Sequence, residues 1–198
     1  TLHVGGDNTT DADFAGVISG GGRVDKVGTG AQTLSGVNTF SGDVGVTQGS
    51  LIGSNNSAFG NDFNTIYLGG VTFVGTHPLD ARAELLLAGA ANAVVNPVTM
   101  NAFDGNDQGI TIIGTRETSG TYGFATGGTV SLYQDYSTNV FFEADGTSIF
   151  QFNDVISDGG SAAVTSLIKI GTGTVELHGV NTYGSSNFSG WSQGTAID

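Results

Sequence analysis

The sequence predicts an all-β chain wound as a parallel β-helix, a β-solenoid of short strands and Gly, Asn or Asp turns. Three observations lead there. Apolar residues alternate in runs of about four to six, punctuated by turn residues. Glycine supplies 34 of 198 residues and proline only 2, so the chain turns often without proline stops. One phrase also occurs twice: GTGAQTLSGVNTFSG from Gly28 to Gly42 and GTGTVELHGVNTYGS from Gly171 to Ser185.

Composition excludes several function classes. Five Lys and Arg face 18 Asp and Glu, for a net charge of −13, so nucleic acid and anionic lipid surfaces are expected to be repelled. No apolar stretch approaches the ~18 residues of a membrane helix, and no basic and apolar leader opens the chain. Cysteine is absent, which removes disulfides and thiolate metal sites. Mean hydropathy of +0.06 argues for a folded chain rather than a solvated one.

The elements follow in order. Thr1 to Val4 reads as an opening strand. Asp13 to Ile52 holds the first copy of the phrase with its flanks. Thr65-Ile66-Tyr67-Leu68 and Val71-Thr72-Phe73-Val74 alternate as strands. Leu79 to Ala93 has helix formers, but Gly89 interrupts it, and two apolar strands around a Gly-Ala turn account for it better. Ile110 to Ile113, Thr129 to Tyr133 and Val140-Phe141-Phe142 continue the strand pattern, and Phe150 to Ala196 carries the second copy. The chain therefore reads as one β-solenoid domain over 1–198, with related units at about 13–52 and 150–196.

Alignment of the two copies is detailed. Phe14 to Gly22 answers Phe152 to Gly160. Lys26-Val27-Gly28-Thr29-Gly30 answers Lys169-Ile170-Gly171-Thr172-Gly173. Leu34-Ser35-Gly36-Val37-Asn38-Thr39-Phe40 answers Leu177-His178-Gly179-Val180-Asn181-Thr182-Tyr183. The second copy is longer only between its first two parts, as a repeat accepts change in a turn. If each strand stacks on its equivalent one coil later, inward apolar residues form columns. Val17, Ile18, Val24, Val27, Leu34 and Val37 are expected in one part of the core. Val155, Ile156, Val164, Leu167, Ile168, Ile170, Val175, Leu177 and Val180 are expected in another. Gly36 and Gly179 are expected at corners with positive φ. Asn38 and Asn181 are expected to tolerate left-handed corners or to stack as amide ladders. Roughly 20–25 residues per coil give about eight or nine coils.

These residues carry a family resemblance. The run from Phe14 through Val17-Ile18-Ser19-Gly20, Lys26-Val27-Gly28-Thr29-Gly30 and Gly36-Val37-Asn38-Thr39-Phe40 resembles the passenger-associated strand repeat of bacterial autotransporters. The resemblance is close over Asp13 to Ile52 and looser over Phe150 to Ala196, where SDGGSAAVTSLIK is longer than the family's turn. It implies a right-handed parallel β-helix, secreted or displayed at the cell surface. It also implies a reason for the missing cysteines, since such passengers cross membranes unfolded. No membrane-barrel sequence follows Asp198, so a fragment, a processed passenger or a free-standing relative is expected.

Chemistry is sparsely signalled. His3, His77 and His178 have no metal-ligand spacing, and His178 replaces Ser35 of the other copy, as an outward position allows. Gly20-Gly21-Gly22 lacks the Lys-Ser/Thr and helix of a phosphate loop. Asp104 with Asp107, Glu143 with Asp145, and Asp11 with Asp13 are the carboxylate pairs a glycosidase could use, and each also reads as a solvated turn with no basic cluster beside it. Asp7, Asp104 and Asp107 are the candidates for calcium. Tyr122, Phe124, Tyr133, Tyr136, Phe141, Phe142, Phe150 and Phe152 read as stacked core. No residue is assigned a catalytic, cofactor-binding or metal-binding role.

The expected function is structural: an extracellular or cell-surface β-helix serving as stalk, adhesin or fibre subunit. The alternatives are a fragment of a longer passenger adhesin and a polysaccharide-active lyase or glycosidase. The expected partner is the protein itself, head to tail, together with a surface glycan or a host or neighbouring-cell protein. Neither Thr1-Leu2-His3-Val4 nor Gly194 to Asp198 reads as a cap, and Leu2, Val4, Tyr183, Phe188, Trp191 and Ile197 are expected to form the end-to-end contact.

Overall fold

The computed structural model describes residues 1–69, 82–101, 110–133, 139–157 and 166–182. All regular structure among them is β. Seventeen strands run from β1 (Leu2–Val4) and β2 (Ala12–Phe14) through β3 (Val24–Lys26), β4 (Ala31–Leu34), β5 (Val44–Val46), β6 (Gly49–Gly53), β7 (Ile66–Leu68) and β8 (Arg82–Leu87). They continue with β9 (Val98–Asn101), β10 (Ile110–Thr115), β11 (Thr121–Phe124), β12 (Val130–Tyr133), β13 (Asn139–Ala144), β14 (Ile149–Phe152), β15 (Ile156–Ser157), β16 (Ser166–Ile170) and β17 (Thr174–Leu177).

Every paired strand is parallel to its neighbours. The first sheet has the order β1-β3-β5-β7-β9-β12-β15, the second β16-β13-β10-β8-β6-β4-β2 and the third β11-β14-β17. Each sheet takes one strand per coil, so the chain is a parallel β-helix of seven described coils. A Ser157–Thr182 bridge begins the next. Coils near the start return after 19 to 22 residues. In the middle the return lengthens to 34, so the described part holds fewer coils than a uniform short repeat would give. Of Leu79 to Ala93, residues 79–81 lie outside the described residues and the rest reads as strand and turn: Arg82 to Leu87 is β8, Gly89 turns at φ +56, and Val94 beyond it bridges to Phe124.

The core is built in columns. Leu2, Val24, Val44, Ile66, Val98, Val130 and Ile156 lie in successive register along the first sheet. All but Leu2 are buried, each stabilising by about 2 kcal/mol relative to exposure. On the second sheet Leu51, Leu85, Ile113 and Phe142 do the same. The third side changes character along the stack. Phe40, Ala58 and Phe59 fill it first, from irregular backbone. From the fifth coil it becomes the third sheet, where Phe124 stacks on Phe152 at 5.8 Å and Phe150 meets Phe152 edge-on at 5.1 Å. Tyr122, Phe124, Phe142, Phe150 and Phe152 are therefore core, as the spacing predicts. Phe141 is half-buried, and the side chains of Tyr133 and Tyr136 lie outside the described residues.

The repeated phrase has one local geometry in both copies. Ser35 N–H donates to the Phe14 carbonyl and His178 N–H to the Phe152 carbonyl, at 3.1 and 2.9 Å. Thr39 N–H donates to Ile18 and Thr182 N–H to Ile156, both at 2.9 Å. Between these, Asn38 Oδ1 accepts from Ile18 N–H at 2.8 Å and Asn181 Oδ1 from Ile156 N–H at 2.9 Å. Asn38 Nδ2 also reaches the next coil, donating to the Ala58 carbonyl at 2.7 Å. The asparagines thus bond backbone of neighbouring coils. They adopt no left-handed φ, which among the described non-glycine residues belongs to Asn8 and Asp11. Side-chain-to-backbone links replace the expected amide-on-amide ladder.

Two further expectations change. Gly36 and Gly179 do not have positive φ. A Cβ on either would collide with the backbone carbonyl of the previous coil, Gly16 or Asp154, so close approach explains these glycines. Val37 and Val180, expected in the core, are 62% and 82% exposed, and Val17 is exposed too. The corner turns inward at the following residue, Ile18 or Asn38, which leaves the preceding valine facing solvent. Val155 is half-buried and Val164 lies outside the described residues. The copies also occupy different faces. Copy one passes from the first sheet (β3) to the second (β4), and copy two from the second (β16) to the third (β17).

Gly36→Ala is expected to destabilise by about 1–3 kcal/mol through backbone overpacking, with Gly179→Ala alike. Gly22→Ala, where an added Cβ meets nothing within 4 Å, should melt with the parent. Thermal unfolding of the three variants checks this, and equal melting of all three would contradict the close-approach account.

Candidate functional site

The densest charged cluster lies on the outer face of the second sheet. β8 presents Arg82 and Glu84 with the period of two that puts both on one face. Ser50 on β6 pairs in register with Glu84. Glu143 on β13 pairs with Gly114, which leaves room beside it, and Arg116 follows β10 directly. Glu84 accepts hydrogen bonds from the Ser50 hydroxyl and from Arg82 Nε. Arg116 Nη2 donates to Glu84 Oε1 at 2.8 Å, and its Nε lies 3.1 and 3.2 Å from the two oxygens of Glu143. Two cations and two carboxylates alternate across the coils.

Burial separates their roles. The Glu84 side chain is 4% exposed, whereas those of Arg82 and Arg116 are 47% and 42% exposed. Desolvation works against the charge on Glu84, but the bonds from Ser50, Arg116 and Arg82 outweigh it and hold its carboxyl below the ordinary value of 4.5. Burial likewise opposes the charge on Arg116, and Glu84 and Glu143 overcome it, raising its pKa. A buried charge is retained when it is paired and hydrogen-bonded. A glycosidase acid needs the opposite, a carboxyl raised enough to hold its proton near neutrality. Glu84 has the properties of a fixed ion-ladder member. Beside it opens a groove of about 380 Å³ lined by Thr29, Gln48, Gly49, Ser50, Arg82, Glu84 and Arg116.

A second charged group sits inside a corner. Lys26 is fully buried, and its Nζ donates to the carbonyls of Val27, Gly28 and Gln48 at 2.9, 2.7 and 3.1 Å. Three donors meet three acceptors. Gly5, Gly28 and Gly49 turn there at φ +76, +74 and +71, so their backbones can approach the lysine stem. Burial lowers the Lys26 pKa to about 8. Lys169 repeats the contact in copy two, donating to Gly171 at 2.5 Å. The lysine of the repeated phrase therefore holds its glycine corner.

The sequence candidates scatter. Leu2 is 45% exposed on the outer strand β1, and Val4 beside it packs against the core. Tyr183, Phe188, Trp191 and Ile197 lie outside the described residues, as do Asp104, Asp107 and His77. Glu143 belongs with Arg116, not with Asp145, which turns the chain after β13 and accepts from Ser148 N–H. Asp13 accepts from the Ser35 hydroxyl at 2.7 Å, and Asp7 from Thr9 N–H at 3.2 Å. His3 is exposed, and His178 lies 3.0 Å from Glu176 at the surface. Gly20, Gly21 and Gly22 form an exposed turn. Among the described residues no three His, Cys, Asp or Glu gather as a metal site, and no helix is long and apolar enough to cross a membrane.

The sequence reading found no basic cluster near the carboxylates, and the fold supplies one. Arg116 and Glu143 join Arg82 and Glu84 only because β8, β10 and β13 stack. The available signal was Arg82-Ala83-Glu84 in alternation and the rarity of cations, five in the whole chain.

Comparison with known families places the phrase. Residues 24–52 and 167–197 match the family described as passenger-associated-transport-repeat. The first match spans β3 to β6, and the second opens in β16. No curated protein and no solved structure matches the chain. The matched repeat is the one that the Lys-Val-Gly-Thr-Gly and Gly-Val-Asn-Thr phrases resemble.

Because its folded pKa is depressed, the Glu84 contribution to stability is present above the ordinary value of 4.5 and is lost as pH falls through the lower folded value. Glu84→Gln is expected to flatten that acid limb relative to the parent. Urea midpoints measured from neutral to strongly acidic pH check it, and an unchanged slope would show that the ladder does not hold this carboxylate charged.

Proposed function

We propose that this protein is a structural passenger-type β-helix, secreted or displayed at a bacterial surface, whose coils stack end to end with a further β-helix as a stalk or fibre. The two matched passenger-associated transport repeats support the first part. The seven-coil parallel stack is a rigid spacer in its own right, with one strand per sheet per coil.

The stacking register supports the end-to-end part. Leu2 and Phe14 belong to inward columns, in register with buried Val24 and Leu34. A coil stacked on β1 and β2, from the same chain or from another, would continue both columns and extend both sheets without changing the helix. This is strand addition as a recognition mode, and a contact of that head-to-tail kind grows as a filament. Tyr183, Phe188, Trp191 and Ile197 are the proposed counterpart on the other end. The net charge of −13 opposes approach at low salt, and screening relieves it.

The purified chain is expected to sediment and scatter light as growing assemblies when salt rises from low to moderate concentration. Leu2→Lys with Phe14→Lys should stop growth while the fold persists, as should Ile197→Lys. A wild-type chain that stays monomeric at high concentration and moderate salt would leave the stalk reading and overturn the end-to-end contact.

A further inference from the structure

We propose that the groove beside the ion ladder binds the carboxylate-bearing rings of an acidic polysaccharide, laid along the helix axis. The inference is independent of end-to-end stacking and gives a glycan partner a place on the molecule. Its lining comes from four successive coils: Thr29, then Gln48 to Ser50, then Arg82 and Glu84, then Arg116. That is a track on the order of 14 Å long, three strand spacings. A linear polymer that follows it meets a polar group from every coil it crosses.

The placement of exposed cationic donors over buried carboxylates, and not net charge, selects the class of ligand. Of the five basic residues, Lys26 is buried, Arg23 is paired with Asp25 at 2.6 Å and Lys169 donates to the Gly171 carbonyl at its own corner. Arg82 and Arg116 stand side by side with guanidinium groups reaching solvent, while the carboxylate between them is buried beneath. Glu84 and Glu143 use Nε of both arginines and Nη2 of Arg116. A guanidinium has five N–H donors in a fork that matches a carboxylate, so the outer edge of the pair suits an incoming anion. The acidic ladder keeps the two arginines in place.

The rest of the lining selects saccharide over peptide. Thr29, Gln48, Ser50 and the Gly49 backbone offer hydroxyl, amide and N–H groups, and the described lining has no apolar side chain. Peptide recognition leans on apolar anchors in pockets. A uronic-acid ring presents hydroxyls next to a carboxylate and matches what is there. The whole-molecule charge of −13 repels polyanions at a distance, so the interaction rests on short-range forks and is expected to survive moderate salt.

The test uses the whole chain, titrated calorimetrically at moderate salt with a galacturonic-acid oligomer, a neutral glucose oligomer of the same length and a glutamate oligomer. The galacturonate oligomer is expected to bind and the other two not. Arg82→Gln should weaken binding roughly tenfold or more, the scale of one charge-assisted hydrogen-bond pair, and Gln48→Ala should weaken it less, with the parent melting temperature for Gln48→Ala. If Arg82→Gln lowers stability, shifts of the Gly49 and Ser50 amide signals on adding the oligomer to the parent locate the contact instead. Absence of galacturonate binding, equal binding of the neutral or glutamate oligomer, or binding that leaves Gly49 and Ser50 unmoved would overturn the proposal.

Discussion

The stack depends on neighbouring coils keeping their backbones within hydrogen-bonding distance where the chain turns. Along a sheet this is automatic, because parallel strands bond at every step. At a corner the chain departs from strand geometry, and N–H groups near the core lose that partner. Ile18 stands at such a point, and Ile156 opens β15 with its N–H turned to the corner of the next coil. Asn38 and Asn181 supply the missing acceptor from the coil above. The same device recurs on the irregular third side. Asn64 Nδ2 bonds the Phe40 and Phe59 carbonyls, Asn96 Nδ2 those of Asn61 and Asn64, and Asn55 Nδ2 those of Ser35 and Gly36. Buried backbone groups must be paired, and short amide side chains do it without adding a strand.

This constraint explains why one phrase appears twice on different faces. Gly36 and Gly179 remove the Cβ that would block approach to the coil below. The asparagine two residues on secures that approach, and the lysine of Lys-x-Gly-Thr-Gly holds the preceding corner through the glycine carbonyl. None of these contacts asks which sheet the strands belong to. The phrase is a portable unit of strand, glycine corner, strand and asparagine corner. The third sheet can therefore begin part-way up the stack, where Phe124, Phe150 and Phe152 take over the space that Phe40 and Phe59 fill earlier.

The fold was largely legible because strand alternation and the repeated phrase both report local geometry. Strand at Arg82 to Leu87 follows from the apolar run that Gly89 breaks off, and core at Phe150 and Phe152 from alternation. The sense of the corners was less legible. Val37 and Val180 look like core by composition, and only the inward turn at the next residue decides that they are not. The ion ladder was illegible for a different reason. Arg82 and Glu84 are close in sequence, but Arg116 and Glu143 reach them through register, which depends on coil lengths that vary from 19 to 34 residues. In a chain with so few cations, where they meet is decided by stacking and not by motif.

Amide hydrogen exchange at Ile18 and Ile156 tests the asparagine locks most directly. In the parent both amides should exchange as slowly as those of the flanking strands, and Asn38→Ala should release Ile18, and Asn181→Ala Ile156, while strand amides such as Val44 stay protected. Rapid exchange of Ile18 and Ile156 in the parent, or protection unchanged in the variants, would contradict the claim that the repeated asparagine holds neighbouring coils together.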